Sequence, residues 1–585
     1  MHLATRRQIL WQRLSPLGCS LLSFALSSQL SVATDSLQIS VYCTAGDVQH
    51  QLATPEGRQR VLRTIRPLKV SRLFLEGRRG DSYVAPNQLR EIRDFFEAQG
   101  IHCSGGIATV PGANFGLRQT GGLDWLNWES PKTRAGVASF FAENAPVFDE
   151  IIVDDFFCTG DKSPEAERAK GLRDWGGYRR DLLVSLIEPL MTKPTRSANR
   201  WTKIIIKFPQ WYDRFHMFGY DPPRMSAQFD QVWVGTEVRN PKTPRWGYTQ
   251  PTEGYMNFRW LASVAGNKVR GAWFDHIECS AQNFVDQAYQ SVLAGTPELT
   301  LFYLGDLMVS HPGDALLAAR LSNLRTLAAR VRGKSRRGIA FYKPPGSEAG
   351  DNTYLADHLG MLGVPILPVA TYPSDAAVAF LPLQAASDAR LLHKVQRHLR
   401  RGATLVFTPA LVRALGPEAS KLAGVHTGPS SGPGAATEFQ VSGHPLSLEK
   451  AVELDAAVMA DGCETLVDAT VEGQVVPFLT SKAAGRGLVL VLNVRTFTEQ
   501  DFRAIGEWLL TPKDLGLTKI PQELADVVRT SLLAPLHVEF RGPAGIELVL
   551  FGDGACVYSF RDDSVRIQFA GKQRDLPAHG WLWLR

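Results

Sequence analysis

The sequence predicts an α/β protein whose N-terminal half is a (β/α)₈ TIM barrel, followed by a second α/β domain and a small antiparallel β domain. Three observations predict it. From Leu37 to about Gly333, short apolar runs rich in β-branched residues alternate with amphipathic helical stretches, the pattern of a parallel sheet wrapped by helices. Eight such runs can be marked, the number a closed barrel needs. No Gly-x-Gly-x-x-Gly follows the first run, so an open dinucleotide-binding sheet is not indicated.

The eight strands are expected at Leu37–Cys43, Val70–Glu76, His102–Val110, Glu150–Phe156, Lys203–Phe208, Gln231–Glu237, Arg270–Phe274 and Glu298–Leu304. Helical periodicity is clearest over Asn87–Gln99, Lys132–Asn144, Tyr178–Met191, Ala281–Ala294 and Asp314–Val331. After the fourth strand no helical pattern begins until about Tyr178. In the second region Gly338–Tyr342, Val364–Pro368, Ala377–Leu381 and Ala403–Phe407 read as strands, with helices over Asn352–Leu362 and Asp388–Arg400. Gly424–Gly434, rich in Gly, Pro and Ser, reads as a loop or insertion. The third region alternates apolar and polar residues, and strands are expected at Leu536–Phe540, Ile546–Leu550, Ala555–Phe560 and Val565–Phe569. The implied segments are 1–33, 34–335, 336–515 and 520–585.

Bulk properties narrow the function. A chain of 585 residues, 44% hydrophobic and 21% charged, is ordinary for a globular protein of several domains. Its net charge of +6 is dispersed. The densest basic cluster, Arg397–Arg401, ends a helical pattern and reads as a solvated face, so no nucleic-acid partner is expected. The first residues read as an export signal. Arg6-Arg7 followed by Gln-Ile-Leu suits a twin-arginine or an ordinary secretory signal, Leu17–Leu30 is apolar but too short to span a bilayer, and Ser31-Val32-Ala33 offers a cleavage site. The mature chain is expected to be periplasmic or extracellular, without membrane insertion. Six cysteines remain after the signal, none in a C-x-x-C pair, and buried free thiols are the expected state. His102, His216, His276 and His311 are scattered singly, and no phosphate-cradling loop or Gly-x-Ser-x-Gly elbow occurs, so neither metal nor cofactor is expected.

In a (β/α)₈ barrel the site lies at the carboxyl ends of the strands. Strand four closes on Asp154-Asp155, strand six on Glu237 followed by Arg239, and strand seven on Asp275, with Glu278 three residues on. A carboxylate ending an apolar strand is costly to bury, which marks a polar site or a shifted pKa. Alternation along a strand sends only one of Asp154 and Asp155 squarely into the mouth. Lys207 follows the apolar run Ile204–Ile206 and needs an anionic partner. Arg78 and Arg79 end strand two. Trp211, Tyr212, Trp273, Trp125, Trp128 and Trp246 lie on or near upper loops, where aromatic faces suit sugar rings.

Two segments resemble a known family. Ala377–Pro409, reading AVAFLPLQAASDARLLHKVQRHLRRGATLVFTP, and Gly485–Asn493, reading GRGLVLVLN, resemble the flavodoxin-like trimerisation domain of family-42 β-galactosidases. The order of barrel, flavodoxin-like domain and small β domain is also that family's order. The resemblance implies a glycoside hydrolase acting on an oligo- or polysaccharide, a homo-oligomer such as a trimer, and an acid/base at the end of strand four; with the N-terminal signal, an exported one is expected. Asp155 would fill that role, with Asp275 as nucleophile or base and Glu237 as substitute for either. Asp154, Arg78, Lys207, Trp211, Tyr212, Trp273 and Glu278 would bind substrate. The family's Asn-Glu pair at strand four is Asp154-Asp155 here, a departure that sets the chain apart from the family proper. A hydrolase or lyase for acidic sugars and a non-catalytic carbohydrate-binding scaffold remain open, as does retention against inversion, because carboxyl separations are not legible in sequence.

Overall fold

The computed structural model describes residues 37–585 except 122, 242–247, 348–351, 353, 499 and 503–510. Residues 1–33, read above as an export signal, and Trp246 lie outside the described residues.

Eight parallel strands close a barrel: β1 (Gln38–Cys43), β2 (Arg72–Arg79), β3 (His102–Ala108), β4 (Glu150–Val153), β5 (Lys203–Phe208), β6 (Gln231–Gly235), β7 (Val269–Asp275) and β8 (Glu298–Phe302). β1 pairs with both β2 and β8, so no edge remains. Each strand falls on an apolar run expected from the sequence. The outward residues join the main core under the helices, whereas Tyr42, Phe74, Ile152, Ile205, Trp233 and Trp273 form a separate cluster inside the barrel. Glycines make room for these rings. A Cβ at Gly271 would fall 2.1 Å from the Trp233 indole, and one at Gly106 would fall 2.9 Å from the Tyr42 hydroxyl. At the amino-terminal end Arg72 bridges Glu150 and Glu298, and Gln231 donates to Glu150 at 2.7 Å.

A helix stands where no helical pattern was expected before about Tyr178. Pro164–Lys170 stands before Trp175–Ile187 in the connection after β4, with Ser163 capping its first turn. It is seven residues long, and only Ala166 of it is buried, so it carries no legible apolar stripe.

The second region is a nine-stranded mixed sheet. β9 (Ile339–Tyr342), β10 (Ile366–Val369), β11 (Val378–Leu381), β12 (Thr404–Phe407) and β17 (Gly487–Leu492) run parallel in the order β10-β9-β11-β12-β17, the doubly wound order of flavodoxin-like folds. Four antiparallel strands fill the chain between β12 and β17: β13 (Pro433–Val441), β14 (His444–Asp455), β15 (Glu464–Val471) and β16 (Gln474–Ala484). They extend the same sheet beyond β17. The sequence reading marked only a loop there, because exposed polar residues dominate β13 and most of β14.

The last region opens with an unforeseen helix, Gln522–Leu533. The strand expected at Leu536–Phe540 is a short turn ending at Leu536, and pairing resumes only at Phe540. β18 (Ile546–Phe551), β19 (Gly554–Ser559) and β22 (Trp581–Leu584) form an antiparallel sheet, and β20 (Val565–Phe569) pairs with β21 (Lys572–Leu576). This sheet leans on the barrel helix Ala281–Ala294, where Tyr558 donates to Asp286 at 2.6 Å and Gln290 donates to Glu547 at 2.6 Å. All six described cysteines are unpaired.

Candidate active site

The carboxyl ends of β2, β4, β5, β6 and β7 converge on a cavity of about 310 Å³. Polar groups from Arg79, Asp154, Asp155, Lys207, Gln210, Glu237, Arg239 and Asp275 line it, with Phe156, Trp211, Trp273, Ile277 and Phe302 as apolar walls.

Lys207 is the hub. On β5 its side chain points inward above Ile205, as alternation requires. Its ammonium donates to Asp155 Oδ2 and to Glu237 Oε1, both at 2.6 Å, and lies 3.7 Å from Asp154 Oδ1. It also sits 4.5 Å from the centre of the Trp273 ring, a cation–π contact. Burial opposes its charge, but the Asp155, Glu237 and Asp154 carboxylates outweigh burial and raise its pKa. Because two oxygens share one nitrogen, the facing oxygens of Asp155 and Glu237 stand no further apart than twice 2.6 Å.

β4 ends at Val153, so Asp154 and Asp155 lie in the turn beyond it, and both reach Lys207. The expectation that only one would enter the mouth fails because strand alternation stops one residue earlier. Asp154 accepts from Arg79 Nη2 at 2.7 Å and from the Asp155 N–H at 2.8 Å. Burial disfavours its charge, yet Lys207 and Arg79 together hold its pKa below the ordinary value. The neighbouring Asp155 is pushed up, by burial first, to about 6, with Asp154 adding to the rise and Lys207 opposing it. Burial likewise pushes Glu237 up to about 7, against Lys207 and with help from Asp155 and Asp275. As these two acids lean on one lysine, the two proton losses belong to the pair.

Asp275, the last residue of β7, pairs with Arg239 Nη2 at 2.9 Å and accepts from the Ile277 N–H at 3.1 Å. Around the cavity, then, Arg79 matches Glu76 and Asp154, Arg239 matches Asp275, and Lys207 is shared. Asp155 and Glu237 are left in common possession of that one lysine, and Glu237 Oε2 has no hydrogen-bond partner among the described residues.

Three expected residues are placed elsewhere. Arg78 packs over Phe115 at 4.8 Å and Tyr83 at 5.2 Å, outside the cavity, and Arg79 takes the inward place. The cause is a register shift between Glu76 and Arg78 against β3, which inserts Gly77 and flips the alternation. Tyr212 is buried away from the mouth and donates to Asp357 at 2.8 Å. Glu278 stands exposed beyond β7 with φ of 53° and does not line the cavity. Trp211 and Trp273 do line it, Trp211 stacking against Trp125 at 6.0 Å. Trp128 is core, its Nε1 donating to the Cys158 carbonyl. Gln210, Arg239, Phe156 and Phe302 were not singled out as lining residues, and Glu76 beneath them was missed altogether. Glu76, a carboxylate within an apolar run, was the available signal.

A closed parallel barrel whose mouth gathers two buried carboxyls of raised pKa around one lysine, walled by aromatic rings, has the form of a glycosidase-type barrel. Comparison with known proteins agrees. Residues 27–316 match a family described as "Probable glycosyl hydrolase, catalytic domain", so the barrel is of the glycosyl-hydrolase type in fold. Residues 336–429 match the second domain of the uncharacterized protein SSO3021. That protein, from Saccharolobus solfataricus, is 26% identical over 427 residues, covering 66% of this chain and 69% of its own. Among solved structures, a β-galactosidase from Bacillus circulans sp. alkalophilus superposes with a TM-score of 0.64 at 12% identity, over 94% of this chain and 98% of the other. An α-L-fucosidase isoenzyme 2 from Paenibacillus thiaminolyticus gives 0.59 at 11% identity, over 93% and 98%. At such identities the likeness is one of fold, and it extends through all three regions.

Proposed function

We propose that this protein is an exported glycoside hydrolase that cleaves its substrate by retention, with Asp155 as general acid/base and Glu237 as nucleophile. The observation that carries the assignment is Lys207, which bridges the two carboxyls at 2.6 Å each. Retaining enzymes hold their carboxyls about 5–5.5 Å apart and inverting enzymes ~6.5–9.5 Å, and a shared lysine supports the shorter spacing. Asp155 is the more open of the two, its side chain 13% exposed against 4% for Glu237, which suits a group that protonates a leaving alcohol on its way out. Between the two proton losses the pair holds one proton. In the free protein the higher pKa of Glu237, about 7 against about 6 for Asp155, favours Glu237 as its holder, so these roles require bound substrate to move it to Asp155. The excess of carboxyls over cations disfavours an anionic sugar ring next to the pair, so neutral glycosides are the expected substrates.

Asp275 supports a second assignment of the nucleophile, because it lines the same cavity with its charge held by Arg239. A panel of aryl glycosides, neutral and acidic, decides between these readings when run on the wild type, Asp155→Asn, Glu237→Gln and Asp275→Asn. Loss of roughly 10³-fold or more in kcat for Asp155→Asn and Glu237→Gln is expected. A 2-fluoro glycoside that traps the glycosyl-enzyme should label Glu237, and a label on Asp275 would transfer the nucleophile there. Full activity in Asp155→Asn would overturn the site, and turnover of acidic glycosides alone would overturn the substrate class.

A further inference from the structure

Glu76 takes no part in the chemistry proposed above, yet no carboxylate near the cavity is held more tightly. It sits near the top of β2 with its side chain wholly buried. Oε1 accepts from the Tyr42 hydroxyl at 2.5 Å, and Oε2 accepts from the Ala45 N–H at 2.7 Å. Arg79 then closes a fork on both oxygens, Nε to Oε2 and Nη2 to Oε1, each at 2.9 Å. The same Nη2 donates across to Asp154 Oδ2 at 2.7 Å, and Asp154 Oδ1 receives the N–H of Asp155. A continuous run of hydrogen bonds thus leads from β1 and the first helix, through β2, to the turn that presents Asp155.

Stability alone is a poor reason for this arrangement. A buried ion pair recovers its desolvation cost only with excellent geometry, and apolar side chains of similar volume commonly do as well. The geometry here is excellent, and what it delivers is direction. Arg79 follows a bulge at Gly77 that turns it inward, and without a fixed anion behind it the guanidinium could swing into the cavity.

We infer that Glu76 is a positioning residue: it fixes Arg79, and through Arg79 and Asp154 it fixes the stance of Asp155 in the barrel mouth. The inference rests on Asp155 being the acid/base. The groups that face Asp155 are Asp154 beside it, Lys207 from β5, Glu237 and Arg239 beyond β6, and Tyr220, whose hydroxyl donates to its carbonyl oxygen. Glu76→Gln keeps the shape but deletes one negative charge while Arg79 keeps its positive one. The ionised forms of Asp154 and Asp155 then gain, so both limbs of the pH–rate profile should move to lower pH.

The test is steady-state kinetics across pH on Glu76→Gln and Glu76→Asp, with ¹³C NMR titration of the Asp155 carboxyl, assigned with Asp155→Asn. The expected Glu76→Gln result is a fall in kcat of roughly tenfold or more, KM within about twofold, and both limbs displaced downward. Glu76→Asp keeps the charge but falls one methylene short, so its limbs should stay in place while kcat drops. A merely structural role would lower the folded fraction and leave the profile of the folded enzyme unchanged. Wild-type kcat and profile in folded Glu76→Gln would overturn the inference. If the wild type turns over no glycoside, the functional reading fails by itself, and the NMR titration still decides: a downward shift of Asp155 in Glu76→Gln supports the coupling, and an unchanged titration overturns it. If Glu76→Gln does not fold, Tyr42→Phe removes a single donor to Glu76. A severalfold loss of kcat is then expected, and wild-type behaviour overturns the inference.

Discussion

Lys207 is 2% exposed and touches three carboxylates, so its removal leaves uncompensated charge at the centre of the barrel. Breaking a buried pair by deleting one partner costs about 3–5 kcal/mol. Lys207→Met is therefore expected to lower the melting temperature and to raise the upper proton loss of the Asp155–Glu237 pair, seen as an alkaline limb displaced to higher pH. In the wild type, the working form carries one shared proton. Activity should fall as pH drops below about 6, where both carboxyls are protonated, and again as pH rises above about 7, where both are ionised. A kcat/KM profile that stays flat from pH 5 to 9 would remove both residues from the chemistry. At this scale the sequence showed which residue types end the strands, and Asp154, Asp155, Lys207, Glu237 and Asp275 all reach one cavity. It misjudged Arg78, because a one-residue bulge inverts everything after it and leaves no mark in composition. It misjudged Tyr212 because its hydroxyl finds a carboxylate of the second domain, which no local pattern announces.

Elements follow from their apolar runs. β5 (Lys203–Phe208) coincides with the expected run, since Ile204–Ile206 must be covered on both faces and Lys207 can end only in a mouth. β7 shows how an element depends on its neighbour. Gly271 is inward-facing, and the Trp233 ring of β6 lies where a Cβ would be. Gly271→Ala should cost 1–3 kcal/mol or more by overpacking, measured by chemical denaturation. Trp233→Phe in the same chain should recover part of that loss, and an unaltered midpoint for Gly271→Ala would show that the indole moves freely. Short or polar elements escaped the sequence reading: Pro164–Lys170 buries one residue, and β13 and most of β14 face solvent. Periodicity detects burial, so an element that buries little is invisible to it. The helix Gln522–Leu533, by contrast, buries Leu524, Ala525, Val528, Arg529, Leu532 and Leu533, and its pattern was there to be read.

At the scale of the molecule, the C-terminal sheet is joined to the barrel through buried titratable groups. Burial pushes Glu547 of β18 up to about 8, although Gln290 of the barrel helix donates to it. A carboxyl whose folded pKa is raised favours folding below its unfolded pKa and loses that advantage as pH rises through the folded value. Stability should therefore decline between about pH 4.5 and 8, by up to ~5 kcal/mol from this group alone. Glu547→Gln should flatten the decline in melting temperature over that window, and an identical slope in both proteins would show that Glu547 ionises freely. The sequence by itself determined the eight barrel strands and the carboxylates and lysine at the strand ends, because each is written in local periodicity and in the cost of burying charge, and a family resemblance supplied the flavodoxin-like order that follows. Only the tertiary structure decided which arginine of β2 enters the mouth, that Asp154 and Asp155 share one lysine with Glu237, and that Glu76 stands behind them. Those outcomes depend on register and on partners far apart along the chain, and a local pattern carries neither.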